Sequence, residues 1–276
     1  MSEPTFKVLQ FAGLTLGGGK GRKTSLCILE YYLKEKKLFL KELHENIEEK
    51  VRTSSDTLIV KKLEKHKKLL HTVGVDAPLK LPKCMRCRLE CPGHEKCDEP
   101  EIQWMWKWHK KRHPNKRPNK IFTPYTERCV EQYLMQEISP DVYPGHAMGS
   151  NRAPLTARAL YLKRRLKDLK IVEVYPRLSV WQLGQDLGLR KSYLTDYRNV
   201  THGEEARHHF LDRWSEQGLS FIYHRDFKQM VKDVYAFEAF FCAYTAFLQY
   251  KGLCQPRPKG FPASEAWISF PQLNKD

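Results

Sequence analysis

The first fifth of the chain alternates short apolar segments with polar turns. Residues 7–16 and 25–32 are largely apolar, and residues 38–43 (LFLKEL) alternate between apolar and polar side chains. Glycines separate the first two segments and lysines separate the second from the third. Two turns that join three short β-forming segments are typical of an antiparallel meander. The sequence therefore predicts three strands at the start of a sheet.

The pattern then changes to helical spacing. Ser54 and Asp56 open a segment whose apolar positions recur every three to four residues, which predicts a helix. Asp226 and Gln229 resemble a capping box before the last long apolar segment. The other predicted elements are helices over residues 126–136, 157–170 and 227–250 and strands over residues 71–76 and 171–175. A meander followed by alternating helices and strands indicates an α/β fold with a mixed sheet.

Composition favours a globular protein with a polyanionic partner. The 276 residues are 41% hydrophobic, and 48 Lys and Arg against 32 Asp and Glu give a net charge of +16. A surplus of this size favours phosphates, because neutralising them releases counterions; solubility alone is the other interpretation. No apolar stretch approaches the ~18 residues of a membrane helix, and the N-terminus lacks a secretory pattern. We expect a cytoplasmic protein without a membrane partner.

Four of the eight cysteines are clustered with the spacing C-x2-C-x3-C-x5-C: Cys84, Cys87, Cys91 and Cys97. Without an export signal a disulfide framework is not expected. Four thiolates so close in sequence can surround one tetrahedral ion, which predicts a closed, structural Zn²⁺ site, with [4Fe–4S] as the alternative. We place this cluster in an insertion spanning residues 80–120 of a domain that covers residues 1–254.

A basic segment follows the cysteines. Three tryptophans precede it, and its cationic residues are Lys107, Lys110, Lys111, Arg112, Lys116, Arg117 and Lys120. Such a segment suits a surface that tracks a nucleic-acid backbone, and the tryptophans are either stacking platforms or packing residues. A solvated loop is the other interpretation. Residues 255–276 form a proline-rich tail that we expect over the surface.

The glycine-rich segment 17–24 (GGGKGRKT) does not fit a phosphate-binding loop of the G-x4-G-K-[S/T] type. Arg22 occupies the position of the second glycine, and a strand rather than a helix follows. The sequence predicts a hairpin turn here, either an ordinary one or one beside a ligand.

Three carboxylates lie at structurally sensitive positions. Asp76 ends an apolar strand, Glu173 interrupts another, and Glu238 lies on an apolar helix face. A carboxylate in such a position costs free energy unless it pairs or binds a cation. For Glu238, a buried arginine such as Arg128 or Arg177 would serve as the partner. Three acids from separate elements are also what a two-magnesium phosphoryl-transfer site requires.

Several short motifs follow one another in the order found in a known family. They are Gly-Leu-Thr-Leu at 13–16, Val-Asp-Ala-Pro-Leu at 75–79, Arg128 with Glu131, Glu-Val-Tyr-Pro at 173–176 and Glu-Ala at 238–239. Over roughly residues 7–250 the chain resembles a widespread uncharacterised family described as predicted nucleases with an RNase H-like fold. The resemblance implies a three-strand antiparallel meander, then alternating helices and strands, with acids that bind Mg²⁺ or Mn²⁺.

The resemblance also implies roles for single residues. Asp76 matches the family's fourth-strand acid, Glu238 its final-helix acid, and Glu173 a strand position that is either supporting or catalytic. Thr15 stands where the family has a first-strand aspartate. A hydroxyl is a poor substitute for a carboxylate as a magnesium ligand.

Two functions follow from these residues. The first is a metal-dependent nuclease acting on DNA or RNA, with Asp76, Glu238, Glu173 and the Thr15 position as its catalytic set and Asp233 as a further candidate. The alternative is a catalytically degenerate nucleic-acid-binding protein on the same fold, which accounts for Thr15. A sugar-kinase-like phosphotransferase ranks last, because the chain is too short for two comparable domains.

Overall fold

The structure, a computed structural model, describes residues 7–17, 23–112, 122–138 and 140–273. Within them the chain forms a five-stranded sheet in the order β3-β2-β1-β4-β5. The strands are β1 (Val8–Thr15), β2 (Ser25–Tyr32), β3 (Lys37–His44), β4 (Leu70–Asp76) and β5 (Ile171–Glu173). The first three strands are antiparallel, whereas β4 is parallel to both β1 and β5. The predicted meander and mixed sheet are confirmed.

Ten α-helices lie in the described part of the chain. They are α1 (Ser55–His66), α2 (Lys83–Arg86), α3 (Pro100–Arg112), α4 (Cys129–Glu137), α5 (Ala153–Arg165), α6 (Pro176–Asp186), α7 (Lys191–Asp196), α8 (Gly203–Glu216), α9 (His224–Lys232) and α10 (Val234–Tyr250). The prediction for α1 is confirmed, because the Ser54 side chain caps it by accepting from the Thr57 amide. Helices α2, α3, α6, α7 and α8 had no predicted counterpart.

The single helix predicted over residues 227–250 is wrong. The chain is extended at Asp233, with φ −106° and ψ 110°, and this residue separates α9 from α10. Its carboxylate accepts from the Tyr235 and Ala236 amides and so caps α10. The predicted capping residue Asp226 instead lies in the first turn of α9. Asp233, which interrupts the apolar pattern, is therefore the residue at which a new helix starts.

Two helical layers cover the sheet because successive side chains of a strand point to opposite faces. Ala12 and Leu14 of β1 pack with apolar residues of α1 and α5. Phe11 packs on the other face with residues of α6 to α10. Helix α10 is buried along almost its whole length, so it forms the centre of this second layer.

Two glycines bring α10 into direct contact with the central strands. A Cβ atom on Gly13 would lie 1.9 Å from the Ala239 carbonyl oxygen, and one on Gly74 would lie 2.3 Å from the Cys242 carbonyl oxygen. No side chain fits between these backbones, so both positions require glycine. The contact fixes Glu238, one residue before Ala239, beneath the ends of β1 and β4.

A third apolar cluster joins the cysteine-rich segment to the C-terminal residues. Ile102 and Met105 of α3 pack there with Phe261, Ile268 and Phe270, all buried. The expectation that the tail lies over the surface is therefore wrong for these side chains. The Ser269 amide also donates to the Glu173 carbonyl oxygen at 2.8 Å, which places the tail alongside the end of β5.

Candidate functional site

A cleft of about 820 Å³ lies at the edge of the sheet where β1 and β4 end. Its lining contains one carboxylate, Asp76, and four cations: Lys23, Arg152, Arg177 and Arg198. The strand ends of an α/β sheet are where such proteins place ligands, and here the position is strongly cationic. The cleft is therefore electrostatically suited to an anion.

Three buried polar atoms of this lining have no hydrogen-bond partner among the described residues: Asp76 Oδ1, Arg152 Nε and Arg177 Nε. Buried polar atoms nearly always have a protein, water or ligand partner. The two arginine nitrogens can only donate, whereas the carboxylate oxygen accepts a hydrogen bond or binds a cation. The cleft thus offers donors to an anionic ligand and one acceptor to a hydroxyl, a water or a metal ion.

Other contacts hold these two arginines in place. The Arg152 guanidinium lies over the Tyr175 ring, 5.4 Å from its centroid. Arg177 donates from Nη2 to the Asp141 carbonyl oxygen at 2.8 Å. Each side chain is therefore oriented before a ligand arrives, which lowers the entropy lost on binding.

Glu238 lies next to Asp76 and is fully buried. Burial raises its pKa to about 7, and the neighbouring Asp76 adds to this, while Arg198 opposes it. Tyr197 Oη donates to Glu238 Oε1 at 2.7 Å, and Arg198 Nε lies 3.1 Å from the same oxygen. The expected arginine partner is present, but it is Arg198 rather than Arg128 or Arg177.

The pKa of Asp76 is also raised. Burial is the main cause and Glu173 contributes, while Arg152 and Arg198 act in the opposite direction. The buried carboxylates of Asp76 and Glu238 disfavour each other's ionisation, whereas the neighbouring arginines favour it. These side chains therefore form a strongly interacting group. A cation or hydrogen-bond donor at Asp76 would stabilise its ionised form.

Glu173 lies in a separate, saturated network. Arg128 donates to it twice, from Nη1 to Oε2 at 2.9 Å and from Nη2 to Oε1 at 2.6 Å. The Leu79 amide donates to Oε2 at 2.9 Å. Arg128 also binds Glu131 from Nε and Nη2, at 2.9 and 2.8 Å. Both Glu173 oxygens therefore accept hydrogen bonds within the protein.

Thr15 lies beside Asp76 in the register of the β1–β4 pair. Its hydroxyl accepts from the Ser25 amide at 3.1 Å and lies 3.3 Å from the Tyr235 carbonyl oxygen, to which it donates. The residue thus links β1, β2 and the start of α10. A carboxylate at this position would be adjacent to Asp76.

The four predicted catalytic residues do not fit a two-metal centre as they stand. Of their side chains, Asp76 alone retains a carboxylate oxygen without a partner. Asp233, the further candidate, uses its carboxylate as the cap of α10. In the described part of the chain, no group of three or more His, Cys, Asp or Glu side chains is arranged to hold a metal ion.

The four clustered cysteines form no disulfide, and Cys84 and Cys97 pack against the third apolar cluster. Cys84 and Cys97 are half-buried, whereas Cys87 and Cys91 are exposed. Burial raises the pKa of Cys84, and the other three thiols raise it further. The cysteines therefore lie near enough to interact electrostatically, although they are not arranged as a ligand set.

The described residues include only part of the basic segment. Lys107, Lys110 and Lys111 lie on α3, and Arg112 ends that helix. Lys116, Arg117 and Lys120 fall outside the described residues.

The tryptophans before that segment are packing residues. The Trp104 and Trp108 rings stack at 4.9 Å, and Trp106 Nε1 donates to the His94 carbonyl oxygen at 2.8 Å. Trp104 and Trp106 also pack against the third apolar cluster, which favours the packing interpretation for these two side chains.

Sequence reasoning missed two of the four cations of the cleft, Arg152 and Arg198. Arg152 precedes α5 and Arg198 lies in the turn after α7, and neither has a periodic pattern or a motif around it. Arg177 follows the Glu-Val-Tyr-Pro motif directly, and that proximity was the one signal available. These residues converge only through the tertiary fold.

The sheet, its two helical layers and this cleft define a mixed α/β protein with a cationic site at the carboxyl ends of its central strands. Residues 43–263 match a family described as a protein of unknown function, DUF429. Since the match covers most of the chain, the protein belongs to this family. Neither a curated protein nor a solved structure matches the chain. None of the described helices is long and apolar enough to cross a membrane.

The raised pKa of Glu238 predicts a pH-dependent stability. A carboxyl whose folded pKa exceeds its ordinary value contributes stability that is complete below about 4.5 and lost as the pH rises through about 7. We expect Glu238→Gln to raise the free energy of unfolding by about 1–3 kcal/mol at pH 8 and to change it little at pH 4. Urea denaturation at both pH values measures this difference.

Glu216→Gln is the control for that experiment. Glu216 is a surface residue paired with Arg213, so its substitution should change stability little at either pH. If Glu238→Gln proves less stable than the unchanged protein at pH 8, the ion pair with Arg198 outweighs the cost of burial and the prediction is wrong.

Proposed function

We propose that this protein binds nucleic acid and that the phosphate backbone occupies the cleft beside Asp76. The observation that carries the proposal is the pair of unpartnered donors, Arg152 Nε and Arg177 Nε, in a lining with four cations. Guanidinium groups match the geometry of phosphate oxygens and remain charged at all relevant pH values. A phosphodiester would satisfy both donors.

The charge of the whole chain favours a polymer over a small phosphate. A net charge of +16 gives long-range attraction for a polyanion, and affinity then depends strongly on salt. Lys107, Lys110 and Lys111 on α3 add further positive charge outside the cleft. The free thiols also fit a reducing compartment such as the cytoplasm, where nucleic acid is accessible.

We further propose that the fold is RNase H-like. Three antiparallel strands precede the parallel pair, Asp76 ends β4, and Glu238 lies on the long helix α10. These positions are the ones that the family resemblance implies for the two acids. The resemblance and this arrangement together support the proposal.

Arg152→Ala should weaken binding of fluorescently labelled DNA or RNA by about tenfold or more, since a charge-assisted contact is lost. The slope of log affinity against log salt should become shallower by about one. Arg164→Ala is the matched control, because Arg164 is exposed in the last turn of the helix that follows Arg152 and lies outside the cleft. Equal effects of both variants, or wild-type affinity that does not change with salt, would contradict the proposal.

Metal-dependent cleavage is the second candidate function, favoured by the free Asp76 oxygen beside Glu238. The partners of Glu238, Glu173 and Thr15 argue against it for the unchanged chain. We therefore expect binding without cleavage, whereas Thr15→Asp would place a second carboxylate next to Asp76.

Thr15→Asp is expected to cleave labelled DNA or RNA in Mg²⁺ or Mn²⁺, and EDTA should stop the reaction. Addition of Asp76→Asn to this variant should abolish cleavage. Circular dichroism and a Mg²⁺-dependent rise in melting temperature would show that the variant folds and binds metal. If the unchanged chain cleaves and Asp76→Asn abolishes that activity, the protein is a nuclease rather than a protein that only binds nucleic acid.

We also propose that the four clustered cysteines bind Zn²⁺ as a structural ion. Their spacing and the electrostatic interaction among their thiols support this. Binding would require the thiols to move together, because they are not arranged as a ligand set without the ion. The ion would hold the segment between α2 and α3 together.

Elemental analysis should find about one zinc per chain and a loss of zinc in Cys84→Ser. Cys254→Ser is the matched control, because Cys254 is half-buried like Cys84 but remote in sequence from the cluster. A brown preparation that absorbs near ~400 nm would show that the cysteines hold an iron–sulfur centre instead of zinc. Absence of any bound metal would contradict the proposal.

A further inference from the structure

A second basic groove, of about 490 Å³, lies at the end of the edge strand β3 between α1 and α9. Four lysines line it: Lys50, Lys61, Lys62 and Lys65. Glu45 and Glu48 line it too, yet among the described residues none of these lysines forms an ion pair. The groove therefore combines a concave shape with a lining in which four lysines outnumber two glutamates.

The cations of this groove are crowded. Lys62 Nζ donates to His44 Nδ1 at 3.2 Å, and His44 Nε2 lies 2.9 Å from Glu42. Glu42 also pairs with His66 at 3.4 Å. Burial lowers the pKa of Lys62, and Lys65 and Lys50 lower it further while Glu42 opposes them. An anion in the groove would relieve the repulsion of Lys62 by Lys65 and Lys50.

Thr24 connects this groove to the cleft beside Asp76. Gly17, which lines the cleft, donates its amide to Thr24 Oγ1 at 3.0 Å. Ile47, which lines the groove, donates its amide to the Thr24 carbonyl oxygen at 2.8 Å. Arg158 fixes the junction by donating to both Gly17 and Thr24. The two basic surfaces therefore lie on either side of one residue, at the same edge of the sheet.

The sheet sets the distance between the two surfaces. Three strand spacings separate β4 from β3, which is about 14 Å. A polynucleotide that advances ~3.4 Å per residue covers this in about four nucleotides. We infer that the lysine groove is a second phosphate-binding surface for the same nucleic acid, which runs across this edge of the sheet between groove and cleft. The inference rests on the proposed binding of nucleic acid in the cleft.

The test is the double variant Lys61→Glu/Lys65→Glu, which changes two exposed lysines of α1 and leaves the half-buried Lys62 intact. Its matched control is Lys34→Glu/Lys37→Glu, since these lysines are exposed at the opposite edge of the sheet. Both variants carry the same change of net charge. Circular dichroism and thermal unfolding check that each is folded.

Binding is measured with labelled single-stranded DNA and RNA of 4 and 24 nucleotides. We expect the groove variant to bind the 24-mers about fivefold or more weakly, with a shallower salt slope, and the control variant to bind them nearly as the unchanged protein does. In the groove variant the affinity for the 4-mers should fall less than that for the 24-mers, because a strand of about four nucleotides only just spans the distance from the cleft to the groove.

The outcomes separate this inference from the proposed function. If Arg152→Ala weakens binding of the 24-mers and the groove variant does not, the inference is overturned while the cleft remains a binding site. If groove and control variants weaken binding equally, the effect is one of net charge and the inference is overturned as well. If the unchanged protein binds neither DNA nor RNA, the proposed function fails and the inference fails with it.

Discussion

The direct contact between α10 and the two central strands is the constraint on which the rest of the structure depends. Gly13 and Gly74 leave no side chain between the strands and the helix, so the helix backbone lies against the sheet. This close approach of the helix to the sheet places Glu238 under the strand ends, next to Asp76. It also fixes Asp233, the cap of α10, and with it the abrupt turn from α9. The apolar core and the polar site are therefore positioned by the same contact.

Two arginines near this site hold buried carboxylates, with different consequences. Arg128 is fully buried between Glu131 and Glu173, so loss of the arginine would leave two carboxylates without a counter-charge inside the protein. Arg198 is 39% exposed and pairs with the buried Glu238 while it also lines the cleft. The first network joins α4 to the end of β5 and supports the fold. The second links the protein interior to the surface that receives a ligand.

The sequence was informative where the signal was local. Ser25–Tyr32 was located to the residue, because a strand with a turn on each side has a short-range pattern. Asp76 and Glu238 were recognised because carboxylates are costly at such positions. Helices α6 to α8 and the cations Arg152 and Arg198 were not, because their grouping depends on contacts between distant segments. Asp233 shows the limit of periodicity, since the apolar pattern continues across a break in the helix.

The two edges of the sheet illustrate a different property of this fold. Beside β5, the tail forms a parallel bridge between Val174 and Ser269. Beside β3, Phe221 exchanges hydrogen bonds with Leu38 and Leu40, at 2.8 and 2.9 Å. Exposed strand edges invite pairing with other chains, and short covering segments suppress it. Both outer strands are thus partly shielded by segments distant in sequence, which protects a sheet with an open strand order against edge-to-edge self-association.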